Sequence, residues 1–178
     1  MYVDDTAPAA QPFTEQPGPN VPPFCQTPED CFSLFLDDTL LQYLVDTTNT
    51  YATKKLATMT ISSRSLYRNW RPVTVEEMKG FVAVVLNMGI VQLTNLKDYW
   101  STDDTTNFPF FRSVFSRDRF FQIFGMLYVG DPDGTTKRSK IQPLLDRLCP
   151  VFEATFTPDR QIAVDESVIN FKGRVSFR

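Results

Sequence analysis

The chain has 178 residues, 42% of them hydrophobic, and a formal net charge of -3. That length accommodates one domain with a sizeable core, and so small a net charge does not by itself announce a nucleic-acid binder. There is no histidine, which excludes histidine general bases, Ser-His triads and histidine metal ligands within this chain.

Charge is distributed unevenly. Residues 1–53 carry eight Asp and Glu and no Lys or Arg, and the rest carries all 18 Lys and Arg against 13 acids, a net of +5. An acidic leader therefore precedes a mildly basic body. Residues 1–26 hold Pro8, Pro12, Pro17, Pro19, Pro22 and Pro23 with little apolar periodicity, so this leader is expected to be extended and disordered. It has no signal-peptide pattern. Cys25, Cys31 and Cys149 are an odd set without Cys-x-x-Cys, and reduced thiols are the simplest reading.

Thr27-Pro28-Glu29-Asp30 reads as a helix start, with a capping Thr, Pro at the first helical position and acids at the positive end of the dipole. Asp37 or Asp38 can cap a second helix, from about Thr39 to Ala57. Leu40, Leu41, Leu44, Val45 and Tyr51 lie along one stripe of it, and Lys54 and Lys55 suit its negative end. Residues 62–72 interleave Arg64, Arg68 and Arg71 with Tyr67 and Trp70. Cations with aromatics suit a phosphate backbone, but charge runs are usually solvated faces, and a surface loop whose Trp70 tucks into the core is the favoured reading. Thr74 and Glu77 form a capping box. The helix they open, to about Val91, is apolar nearly all round and reads as the centre of a bundle. Its apolar run, interrupted by Asn87, is well short of the roughly 20 residues of a membrane span, so a soluble protein of the cytosol or nucleus is expected.

Leu96–Trp100 reads as a short helix. Asp103-Asp104 sits in a Ser/Thr/Asn-rich connector, which favours a turn over a metal pair. Residues 108–115 and 119–128 read as two further helices, the second with Phe120, Phe124 and Leu127 on one face. Asp131-Pro132-Asp133-Gly134 is a turn in which Gly is expected to take positive φ. Lys137, Arg138 and Lys140 follow, and then a helix to about Phe156, with Pro143 in its first turn and Pro150 as a kink. Residues 160–178 open with period-two alternation, the mark of a strand. They then place Asp165 beside Glu166, which point to opposite faces of that strand, and end in a basic turn, Lys172-Gly173-Arg174.

The stretch VDESVINFKGRVSFR (164–178) resembles the segment that opens the catalytic domain of the piggyBac transposase family. SRDRFFQIFGMLYVGDP (116–132) resembles a helix of the same family, and KIQPLLDRLCPVFEATFTPDRQIAVDE (140–166) the helix leading into its first catalytic strand. The resemblance runs from about Phe32 to the C-terminus. It implies a mainly α protein, with a disordered leader (1–26), a helical dimerisation and DNA-binding region (27–157) and the start of an RNase H-like α/β domain (158–178). By carry-over, Asp165 matches the first catalytic aspartate, a ligand of the Mg2+ or Mn2+ ions that the complete family enzyme uses. The further acids of the family lie downstream and have no counterpart here. Two metals about 4 Å apart need several ligands held in fixed geometry, so this chain alone is expected to bind no metal and to perform no strand transfer.

An unpaired strand begun so late also suggests a truncated chain. The expected role is DNA binding, with transposon ends and TTAA targets implied by resemblance, a homodimer and a nuclear location. Candidate contacts are Arg64, Arg68, Arg71, Lys137, Arg138, Lys140, Lys172 and Arg174. An active transposase from an incomplete gene model and a fragment with no function of its own are the alternatives.

Overall fold

The computed structural model describes residues 12–105, 107–134 and 136–163. Over these residues the chain is mainly helical, as expected. The α-helices are α1 (Pro28–Phe35), α2 (Asp38–Thr58), α3 (Val75–Ile90), α4 (Pro109–Val114), α5 (Arg117–Met126) and α6 (Gln142–Thr155). Single 3-10 turns cover Leu66–Asn69, Leu96–Trp100 and Arg138–Lys140.

Local chemistry sets the helix starts. Thr27 and Asp30 make a reciprocal capping box on α1, with the Asp30 amide donating to Thr27 Oγ1 at 3.1 Å and the Thr27 amide to Asp30 Oδ2 at 2.9 Å. Asp37 caps α2 by accepting from the Leu40 amide at 2.7 Å. Thr74 and Glu77 form the box expected on α3. Ser116 caps α5 by accepting from the Arg119 amide at 3.3 Å.

Packing of α2 on α3 builds one side of the core, with Leu40, Leu41, Leu44 and Val45 against Met78, Phe81 and Val84. Aromatic rings, among them Trp100, Phe111, Phe115 and Phe120, fill the other side. Trp100 lies 4.8 Å from Phe120 and Phe81 5.2 Å from Phe120, centroid to centroid, within the range where ring pairs add to burial. The polar atoms of this core are satisfied. Trp100 Nε1 donates to the Phe115 carbonyl at 2.8 Å, and Tyr99 Oη donates to the Val91 carbonyl at 2.6 Å.

Four expectations are corrected. Helix α3 is not the buried centre of a bundle: Val85, Leu86 and Ile90 are exposed, Ile90 to 81%. Val85 and Leu86, with Phe32 of α1 and Phe152 of α6, border an apolar groove lined also by Leu36, Leu40 and Phe81. On α5, Phe124 is exposed, and the inward face is Arg119, Phe120, Gln122, Ile123 and Met126. Part of the leader is ordered. Gly18–Pro19 (β1) pairs antiparallel with Phe156–Thr157 (β2), with Gly18 opposite Thr157; a partner so distant in sequence is invisible to local composition. Residues 161–163 carry no strand, because no described segment lies alongside to satisfy their backbone. The remainder of the expected strand, and with it the RNase H-like domain, lies outside the described residues. Gly18 has φ of 132°, a conformation suited to glycine.

Candidate nucleic-acid interface

The first basic segment leaves α2 and returns to α3 through the 3-10 turn at Leu66–Asn69. Ser65 caps that turn by accepting from the Tyr67 amide at 3.3 Å. Arg64, Arg68 and Arg71 all lie exposed along it. Trp70 is half-buried against the core and lies 5.3 Å from the Arg119 guanidinium. The surface-loop reading of this stretch thus holds: the tryptophan tucks in and the arginines face solvent.

Buried polar side chains hold the segment in place. Arg119, only 7% exposed, grips Glu77 with two bonds, Nε to Oε1 at 2.9 Å and Nη2 to Oε2 at 2.6 Å. It also donates to the Arg71 carbonyl at 3.0 Å, the Pro72 carbonyl at 3.3 Å and Gln122 Oε1 at 3.2 Å. Gln122 in turn donates to the Leu66 carbonyl at 2.7 Å. Asn49 of α2 pairs with both backbone groups of Val73, accepting from its amide at 2.7 Å and donating to its carbonyl at 2.9 Å. Burial raises the Glu77 carboxyl pKa. Hydrogen bonding and charge from Arg119, with the charge of Arg71, outweigh that and hold it below the usual glutamate range.

Arg71 is thereby distinguished from its neighbours. Its Nη2 lies 2.7 Å from Glu77 Oε1, so its guanidinium is tied to a carboxylate that it shares with Arg119. Among the described residues the Arg68 guanidinium donates only to the Ser63 carbonyl, at 3.3 Å.

The second basic segment follows α5. Its turn closes through the Gly134 amide and the Asp131 carbonyl at 3.0 Å, and the Asp131 amide donates to the Ser139 carbonyl at 2.9 Å. Gly134 does not take the positive φ expected of it; it is small because a Cβ there would overlap the Ser139 side chain. Gly130 is more constrained, since its Cβ would overlap the Lys140 backbone. Lys137, Arg138 and Lys140 are all exposed on this segment, and Arg138 Nε donates to Gln142 Oε1 at 2.6 Å.

The C-terminal end of α2 links the two segments. Lys54 pairs with Asp133 of the turn, and Tyr51 stacks on Tyr128 at 4.6 Å. Lys55 donates to the Gly125 carbonyl at 3.4 Å, and Gly125 is where the Tyr67 hydroxyl of the first segment comes to rest. Arg64 and Arg68 on the first segment and Lys137, Arg138 and Lys140 on the second are exposed, and among the described residues none of the five is in a salt bridge.

Asp165, Lys172 and Arg174 lie outside the described residues. Asp103 accepts from the Thr105 amide at 2.9 Å and from its hydroxyl, which is the turn role expected of it. Among the described residues no group of three or more Cys, Asp or Glu is placed to hold a metal ion, and no helix is long and apolar enough to cross a membrane. Sequence reasoning missed Asn49, Arg119, Gln122, Gly125 and Gly130. The signal available was two long polar residues, Arg119 and Gln122, at helical spacing among the apolar positions of α5.

Comparison with known proteins places the chain. Human PiggyBac transposable element-derived protein 3 is 26% identical over 152 residues, covering 84% of this chain and 24% of the relative. Human PiggyBac transposable element-derived protein 5 is 31% identical over 147 residues, covering 79% and 26% respectively. Human PiggyBac transposable element-derived protein 2 is 23% identical over 150 residues, covering 83% and 23%. The chain therefore spans about a quarter of the length of these curated relatives. No solved structure gives a significant match. The family described as Transposase IS4 matches residues 27–178, from the cap of α1 to the last residue. The chain belongs to that transposase family, alongside the piggyBac-derived proteins.

Proposed function

We propose that the helical body, residues 27–157, binds DNA through its phosphate backbone. The observation that carries this reading is that Arg64 and Arg68 on one segment and Lys137, Arg138 and Lys140 on another are exposed, that α2 contacts both segments, and that none of the five is in a salt bridge among the described residues. No acid competes for these five charges there, so a polyanion can meet them. Contacts of this kind position a protein on a duplex and carry no sequence information. Arg71 is left out of the contact set because its guanidinium is engaged by Glu77, which it shares with Arg119.

The test is binding of the full chain to a duplex oligonucleotide across a salt series. Each neutralised phosphate adds about -0.9 to the slope of log affinity against log salt. Five contacts give a slope of about -4.5, or roughly a 500-fold loss between 50 and 200 mM. Removing Arg68 and Arg138 together lowers the slope by about 2. Absent binding, or an affinity that ignores salt, would sink the reading.

Catalysis is a separate proposal, resting on family membership. Asp165 supplies the first acid of an RNase H-like centre that begins within residues 158–178. Mg2+ or Mn2+, when bound, would stabilise charge during phosphoryl transfer. Such a centre needs several carboxylates, of which Asp165 would be one. Transposon ends and TTAA targets, dimerisation and a nuclear location belong to the same family-level reading. Metal-dependent cutting of transposon-end DNA that Asp165→Ala leaves unchanged would contradict this role for Asp165.

A further inference from the structure

The geometry points to Arg119 and Gln122, helped by Asn49 and Glu77, as positioning residues that set the register of Arg64 and Arg68 on backbone phosphates. This inference rests on the DNA-binding reading above. Residues 59–74 join α2 to α3 with only one 3-10 turn of regular structure. A connection of that kind has few backbone bonds of its own, and side chains must fix its path. They do so at five backbone groups. The carbonyls of Leu66, Arg71, Pro72 and Val73 each accept a side-chain bond, and the Val73 amide donates one.

The choice of residue is informative. If the site only had to be filled, apolar side chains of similar volume would stabilise it as well or better, because burying an ion pair costs desolvation on both partners. Here a guanidinium is buried beneath the segment that carries the exposed arginines, and beyond Glu77 it donates to two of that segment's own carbonyls and to Gln122. Arg119 and Gln122 stand three apart on the inward face of α5, so one rigid helix presents both. Arg71 closes the network on the solvent side by sharing Glu77 Oε1 with Arg119. Its role is to hold the segment rather than to meet DNA.

The variants are Gln122→Met and Arg119→Lys, with the core variant Val84→Ala as a control for lost stability. All are tested as the full chain on the same duplex oligonucleotide. Both positioning variants are expected to weaken binding about tenfold and to lower the salt slope by about 1 to 2, the share of Arg64 and Arg68. They are also expected to speed amide exchange in residues 66–71. Val84→Ala is expected to lower the melting temperature and leave both slope and local exchange as they were, since a smaller folded fraction does not change the number of phosphates met.

An unchanged slope with unchanged exchange in Gln122→Met, while the unmodified chain binds with strong salt dependence, overturns the positioning role and leaves the DNA reading intact. No salt-dependent binding by the unmodified chain overturns both. Should Arg119→Lys fail to fold, Gln122→Met decides alone, because it keeps side-chain length and leaves the Arg119–Glu77 pair in place.

Discussion

Replacing Glu77 by Gln tests the polar network most directly. The Glu77 and Arg119 side chains are 15% and 8% exposed, so the variant leaves a largely buried guanidinium without its counter-charge. Breaking such a pair from one side costs about 3–5 kcal/mol. Arg119 keeps the Arg71 and Pro72 carbonyls and Gln122 Oε1 as acceptors, which places the loss near the lower limit, about 3 kcal/mol. Two other Glu77 contacts add little. The bond from the Thr74 amide is long at 3.4 Å, and Arg71 is 63% exposed, where a pair contributes at most about 1 kcal/mol.

For a chain of this size the melting temperature should fall by roughly 6–12 °C. Thermal unfolding followed by circular dichroism, with urea titration for the free energy, reads it. Adding Arg119→Met to Glu77→Gln should recover much of the loss, because the uncompensated charge then disappears. The gap also has a sign in pH. The folded Glu77 carboxyl titrates below its unfolded value, so its contribution is complete above the unfolded value and disappears as pH falls through the depressed folded one. Wild type and Glu77→Gln therefore converge in acid. A loss below about 1 kcal/mol at neutral pH, the level of an exposed pair, would refute the buried-pair reasoning.

Two other predictions concern fit and charge. Gly130→Ala meets the Lys140 backbone, whereas Gly125→Ala meets the end of a Tyr67 side chain that can swing aside. Gly130→Ala should therefore cost about 1–3 kcal/mol or more and Gly125→Ala distinctly less; calorimetry giving the reverse order would contradict the packing account. Lys79→Ala removes an ion pair with Asp38 at 2.8 Å in which both side chains are more than half exposed, so urea unfolding should register less than about 1 kcal/mol.

The helical framework was legible because its signals are local. The Thr27, Asp37 and Thr74 caps each act within three residues, and their bonds are present. The stripe of Leu40, Leu41, Leu44 and Val45 repeats at the helical period and is buried. Arg64, Arg68 and Arg71 were visible as a basic run, and their exposure follows from the ordinary hydration of such runs. What sets Arg71 apart from Arg68 is an acid six residues on and an arginine 48 residues on, and no spacing rule carries that information. The same holds for Asn49, whose partner at Val73 lies 24 residues away, and for β1, whose partner lies near the other end of the chain.

Helix α3 shows the limit of periodicity most clearly. A helix apolar on every side reads as one surrounded by its own fold, because water opposes each exposed apolar surface. Met78, Phe81 and Val84 obey that reading, and Val85, Leu86 and Ile90 do not. Composition measures how much apolar surface a helix has; only the number of elements packed around it decides how much is covered. Here α2 covers one side of α3 and α4 touches another, while the face toward Phe32 and Phe152 opens on the groove. The polar site reverses the relation. Arg119 and Gln122 are residue types expected at the surface, yet they lie buried because the segment above them needs donors. In both places the sequence pattern states what a side chain is made of, and the tertiary neighbours decide whether water or protein meets it.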